Sequence, residues 1–253
     1  MRIDINADVG ESFGAYTIGN DAGLMKAITS ANVAAGFHAG DPSVLRQTVR
    51  LAAAAGVAVG AHPGFPDLAG FGRRELHVTP EEAEDLVLYQ VAAVVGIAGA
   101  EGVGVQHVKP HGALFSMAAS NPELAGAIAR AVAAIDKSLV LVGLPGSDLL
   151  RAGRAAGLRV AAEIFADRAY EPDGSLMSRR KPGSVIHDMD AVVSRAVTMV
   201  TTRSIVASDG IRLAVEADTI CIHGDMPRAA DLATAVRAGL EAAGVIVKAI
   251  GAV

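Results

Sequence analysis

Asp4-Ile5-Asn6-Ala7-Asp8-Val9-Gly10-Glu11 is the stretch on which the fold turns. Read as a strand, it puts Asp4, Asn6 and Asp8 on one face and Ile3, Ile5 and Ala7 on the other, because side chains alternate along extended backbone. A half-solvated strand would alternate too. Parallel strands of α/β proteins, however, are covered on both faces, and there the polar set points inward. Working outward, polar groups recur at the ends of other short apolar runs: Gly36-Phe37-His38-Ala39-Gly40-Asp41, Gly60-Ala61-His62-Pro63, His107-Val108-Lys109-Pro110-His111-Gly112 and Ile222-His223-Gly224-Asp225. Asn32 and Glu163-Ile164-Phe165-Ala166-Asp167-Arg168 join them. In a parallel barrel all strands end on one rim, so residues scattered through the sequence converge there. That pattern implies an enzyme-like site.

Strand candidates fall at 2–7, 29–36, 57–61, 104–109, 139–143, 158–164, 204–208 and 218–223. Amphipathic segments with helix-start signals lie between most of them. Asp41-Pro42 caps a helix ended by Gly56, and Thr79-Pro80-Glu81-Glu82 leads a long one to about Ala100. Asn121-Pro122 and Ser147-Asp148 open two more, and Asp225-Met226-Pro227 reads as another start with Asp225 as cap. Strand-then-helix order implies parallel strands with right-handed crossovers. No G-x-G-x-x-G follows the first strand, as a doubly wound dinucleotide-binding sheet would show. The expectation is therefore an irregular (β/α) barrel of about seven parallel strands, forming a single domain over residues 1–253. Two long segments, 63–77 and 167–187, break the rhythm and are expected to cover the site.

The 253 residues carry a formal charge of −5 with acids and bases interspersed, which leaves no basic face for nucleic acid. One cysteine, Cys221, permits no internal disulfide and suits a reducing compartment. No apolar run is read as reaching the ~20 residues of a bilayer span, and the strand-like opening at Arg2 shows no signal region. A cytoplasmic setting is expected, with self-association left open.

His107, Lys109 and His111 repeat the alternation of the first strand. An inward Lys109 beside Asp4 and Asp8 would meet the requirement that buried charges be paired. His38, His62, His111 and His223, with Asp8, could ligate a divalent metal, yet their spacings match no short metal motif. A hydrogen-bonded structural histidine is the plainer reading of each. Cys221 reads as a buried, inert thiol more readily than as a thiolate. Arg73-Arg74 and Arg179-Arg180-Lys181 are either solvated loop charges or a clamp for phosphate or carboxylate. No P-loop is present, and His77 and His187 read as structural.

Taken in order, these stretches resemble the LamB/YcsF family, the A subunits of bacterial ATP-dependent 5-oxoprolinase. The resemblance rests on the first-strand octapeptide, Ser30-Ala31-Asn32, Gly36 through Pro42, Gly60 through Pro63 and Phe71-Gly72-Arg73-Arg74. Val108 through Leu114, Phe165 through Tyr170 and His223-Gly224-Asp225 extend it over nearly the whole chain. Ala35 stands where the family is expected to carry Cys, so no thiol acts there. The resemblance implies a barrel of the glycoside hydrolase/deacetylase type. It also implies opening of the 5-oxoproline lactam to glutamate coupled to ATP hydrolysis, with partner subunits B and C.

Such chemistry calls for cations on phosphoryl oxygens: Lys109, Arg73 or Arg168, and a Mg²⁺ arriving with the nucleotide and held by Asp8 or Glu11. It also calls for a base near neutrality, for which His38, His62 and His111 are candidates. Asn6, Glu11, Asn32, Arg73, Asp167, Arg168 and His223 complete the expected substrate- and phosphate-binding set. Two other readings share the barrel: a metal-dependent carbohydrate deacetylase or hydrolase, and a substrate-binding subunit without chemistry of its own.

Overall fold

The computed structural model describes residues 1–226 and 228–250. Seven parallel strands close on themselves in the order β1 (Arg2–Val9), β2 (Ser30–Ala34), β3 (Ala58–His62), β4 (Val105–Val108), β5 (Val140–Gly143), β6 (Arg159–Phe165) and β9 (Thr219–Ile222), with β9 pairing back to β1. This is the expected (β/α) barrel. Closure fixes the interior layers by register: Asn6 lies level with Ser30 on one side and Cys221 on the other, and Asp8 lies level with Asn32.

The outer helices follow the capping grammar of the sequence. Asp41 accepts hydrogen bonds from Ser43 and Val44 at the start of α2 (Pro42–Ala55), and Gly56 ends it in a left-handed conformation. Thr79 and Glu82 form a reciprocal capping box on α3 (Pro80–Ala100). Asn121 caps α5 (Pro122–Ile135), and Ser147 caps α6 (Asp148–Ala155). Asp188 caps α7 (Met189–Thr202), and α8 (Ala229–Ala242) follows β9. The outward face of β1 (Ile3, Ile5, Ala7, Val9) is fully buried in the apolar layer between strands and helices.

Several expectations are corrected. Segment 204–208 is not a barrel strand: β7 (Ser204–Val206) pairs antiparallel with β8 (Arg212–Ala214) in a separate hairpin. Its apolar run matches a barrel strand in composition, and only its pairing partner tells them apart. Two short helices, α1 (Asp21–Leu24) and α4 (Gly112–Ala118), and the edge strand β10 (Ile246–Val247) beside β1 went unread. Asp225 does not cap α8; Arg228, in a left-handed conformation, precedes that helix, and Asp225 pairs with Arg73. Pro227, part of that expected start, lies outside the described residues. α3 also reaches the length and apolarity of a membrane span, contrary to expectation. Here its Ala83, Val87, Val91, Val94 and Ala98 are buried in the core.

Candidate active site

Polar side chains fill the barrel in stacked layers. Lowest, Asp4 accepts from Thr29 (2.6 Å), Ser30 (2.7 Å) and Thr219. Burial pushes its carboxyl up, against the pull of those hydroxyls and of Lys109. Above it, the Asn6 amide donates to Glu163 Oε1 (2.8 Å) and Thr219 Oγ1 (2.6 Å). The Asn32 amide donates to Asn6 Oδ1 (2.7 Å) and Asp8 Oδ1 (2.8 Å), and Asn32 Oδ1 pairs with His107 Nε2 at 2.8 Å. An amide oxygen only accepts, so His107 Nε2 carries the proton. Gly60, level with His107 in the register, is required here: a Cβ at that position would stand only 2.1–2.4 Å from the imidazole Nε2, Cδ2 and Cε1.

Lys109, one residue past β4, is 3% exposed and stands at the centre. Its Nζ lies 3.0 Å from Asp8 Oδ1, 3.0 Å from Glu163 Oε1, 3.3 Å from Asn6 Oδ1 and 2.9 Å from Cys221 Sγ. The pairing differs from expectation: Glu163 rather than Asp4 is the second carboxylate, since Asp4 sits a layer below. Burial alone would lower the Lys109 ammonium, yet Asp8 and its other neighbours raise it well above the ordinary lysine range. Burial likewise opposes ionisation of Asp8, but His62 and Lys109 outweigh it and hold the carboxyl well below the usual range. Burial pushes the Cys221 thiol well up, which agrees with an inert thiol.

At the rim, His38, His62 and His111 come together with Glu11. His38 stacks on His111 at 3.8 Å with rings 5° apart, and His62 meets each of them edge-on. His62 Nδ1 sits 2.6 Å from the Lys109 carbonyl and His111 Nε2 2.8 Å from the Phe71 carbonyl. Glu11 Oε1 is 3.6 Å from His38 Nε2. Burial, then Asp8, drives the Glu11 carboxyl well above its ordinary range. Burial, then the neighbouring imidazoles, holds His38 and His111 well below theirs.

Both long loops reach this rim, as expected. Phe71 and Arg73 arrive on the first; Arg73 pairs with Asp225 at 2.7 Å and stacks over Phe71. The second brings Arg179 to His223 Nε2 (3.0 Å), whose Nδ1 lies 2.7 Å from Asp167 Oδ2. Arg168 is placed differently from the other predicted residues. It donates to the carbonyls of Ser184 (3.2 Å) and Met177 (2.6 Å) and so braces the second loop from within. Burial lowers Arg168 to about 10, and burial and Arg73 lower Arg179, so Arg73, Arg168 and Arg179 crowd one positive region. Glu163 was visible in the sequence without a role, its signal being inward parity on β6, whereas Arg179 was read as either a solvated loop charge or part of an anion clamp.

Asp8 and Glu11 flank His62, whose Nε2 lies 3.3 Å from Asp8 Oδ1. Among the described residues, Glu11 clusters with the three imidazoles, whereas Asp8 clusters with Cys221 and His223. Nucleotide-borne Mg²⁺ takes one or two carboxylates and completes its octahedron with phosphates and waters, and Asp8 and Glu11 are the carboxylates this rim presents.

The LamB/YcsF family model matches residues 3–253. Among 5-oxoprolinase A subunits, that of Tolumonas auensis is 55% identical over 98% of this chain and 99% of its own length. That of Bacillus subtilis is 52% identical over 99% of this chain and 97% of its own length. The crystal structure of a lactam utilization protein from Thermus thermophilus superposes with a TM-score of 0.93 at 51% identity, covering 98% of this chain and 100% of that one.

Proposed function

The chain belongs to the LamB/YcsF family, and from that premise we propose that it takes its place among the A subunits of ATP-dependent 5-oxoprolinases, working in the cytoplasm with partner subunits B and C. The observation that carries this is end-to-end likeness, above half identity, to proteins bearing that name. The barrel interior supplies groups suited to the reaction.

A five-membered lactam is a stable amide. In the proposed sequence the γ-phosphoryl group of ATP passes to the ring carbonyl oxygen, releasing ADP and leaving an electrophilic carbon. A first water adds to that carbon, and the carbon–nitrogen bond opens with a proton to nitrogen, giving an acyl phosphate. A second water releases phosphate and glutamate. Lys109 is the fixed cation for the developing negative charge on the lactam and phosphoryl oxygens. Arg73 and Arg179, crowded at the mouth, receive phosphate or the substrate carboxylate. Asp8, held ionised, positions the attacking water, a role that does not require a strong base. Mg²⁺ travels with the nucleotide phosphates, and no step is assigned to it on this chain's carboxylates.

Co-expression with the two partner proteins tests this. Cells given 5-oxoproline as sole nitrogen source should grow with all three chains and fail when Lys109→Met replaces this one. Growth without this chain would remove its role. A second reading, a metal-dependent hydrolase of amides or acetyl groups, draws on the imidazole cluster alone; ATP-independent cleavage by the isolated chain would favour it.

A further inference from the structure

We infer that Glu11, His38, His62 and His111 form a binding site for one divalent transition-metal ion, of the class that zinc represents. The inference rests on geometry and does not depend on the lactam reading.

The hydrogen positions come first. Carbonyl oxygens only accept, so the contacts to Lys109 O and Phe71 O require protons on His62 Nδ1 and His111 Nε2. In neutral rings the other nitrogens, His62 Nε2 and His111 Nδ1, then present lone pairs. Those two atoms lie 3.0 Å apart, and His62 Nε2 is also 3.3 Å from Asp8 Oδ1. Lone pairs facing one another at that distance repel unless something positive sits between them.

A shared proton would satisfy only those two nitrogens. His38 Nε2 and Glu11 Oε1 face the same space, and both are buried without a hydrogen-bond partner. His38 is 1% and Glu11 3% exposed, so solvent does not supply the missing partners. A cation satisfies all four atoms together. The ligand atoms lie within 4.8 Å of one another. Bonds of about 2.0–2.2 Å to a tetrahedral ion imply ligand–ligand edges of about 3.3–3.6 Å. The observed separations of 3.0, 3.6 and 3.9 Å bracket that value.

Two further features fit. Metal-bound histidines donate their remaining N–H to a carbonyl or carboxylate, which fixes the ring; His62 and His111 both do so. Room for the rings is also built in: at Gly72 (φ +63°) a Cβ would lie 2.7 Å from His38 Cβ and 2.9 Å from His111 Cδ2. Three imidazoles and one carboxylate suit zinc and its first-row neighbours, not magnesium or calcium. The ligands are spread over residues 11 to 111, so no compact motif announces them.

The test measures metal without reference to activity. Full-length chain is stripped with chelator, dialysed, and titrated calorimetrically with Zn²⁺, Co²⁺ and Mn²⁺. Wild type should bind about one equivalent of Zn²⁺ or Co²⁺, and the Co²⁺ form should show the intense visible bands of four-coordinate cobalt. His38→Ala and Glu11→Gln should each weaken binding by about a hundredfold or more, beyond the loss typical of an outer-shell change. His77→Ala, at an exposed position, should not. If His38→Ala misfolds by circular dichroism, the near-isosteric Glu11→Gln carries the comparison. Wild type binding none of the three ions, or binding indifferent to both ligand changes, would overturn the site.

Discussion

Lys109 Nζ lies 3.0 Å from Glu163 Oε1 in a layer of the barrel where both side chains are 3% exposed or less. Removing one partner of a buried ion pair leaves the other without compensation. Lys109→Met is therefore expected to cost about 3–5 kcal/mol of stability, in addition to lowering turnover by roughly two to three orders of magnitude. The double change Lys109→Met with Glu163→Gln should recover part of the stability and none of the turnover. Urea unfolding alongside product assay separates the two. A Lys109→Met enzyme with near-normal turnover would make Lys109 a structural counter-ion only.

His107 offers a pH prediction. Burial, then Lys109 and His62, lowers its imidazole to about 3. A base with its folded pKa depressed is protonated first in the unfolded chain, so its contribution is present above about 6.5 and lost as pH falls towards 3. His107→Gln keeps a donor to Asn32 and removes the titration. Between pH 6.5 and 4 the wild type should lose stability more steeply than this variant, by up to about 1.4 kcal/mol per pH unit. Parallel slopes would contradict the buried neutral imidazole.

Gly60→Ala crowds a methyl group against the His107 ring. Displacing the ring breaks its bond to Asn32, which also fixes Asn6 and Asp8. Overpacking of this kind costs about 1–3 kcal/mol, and turnover should fall with it through the misplaced Asp8. Thermal melting checks the first effect and the product assay the second; an unchanged melt would show that the ring has another place to go.

Much of this layer was legible from period-two alternation. Asp4, Asn6 and Asp8 declared an inward face, and the histidines after successive apolar runs declared a common rim. Height within the barrel was not legible, because parity gives the face and not the level; hence Asp4 was matched to Lys109 where Glu163 belongs. Loops follow no period at all. Arg168 reads like a phosphate ligand yet its donors point to loop carbonyls, and Asp225 reads like a cap yet is claimed by Arg73. The Glu11–His38–His62–His111 cluster was legible in part: the three histidines read as possible metal ligands, but with Asp8 and His223 where the fold brings Glu11.

Asn32→Ala tests the relay between layers. It leaves His107 Nε2 without an acceptor, at about 1–3 kcal/mol, and removes one donor each from Asn6 Oδ1 and Asp8 Oδ1, which keep Lys109. Urea unfolding reads the total; a loss near the low end of that range would indicate that water replaces the amide.

The central claim is ATP-coupled lactam opening by this chain within a three-component enzyme. The most direct measurement follows glutamate, phosphate and ADP from 5-oxo-L-proline with the purified chain alone, with its two partners, and with ATP present or withheld. The account predicts glutamate and phosphate in equal amounts only when ATP and all three components are present, with little or no turnover by the isolated chain. Robust glutamate release by the chain alone, release without ATP, or none from the complete assembly would contradict it.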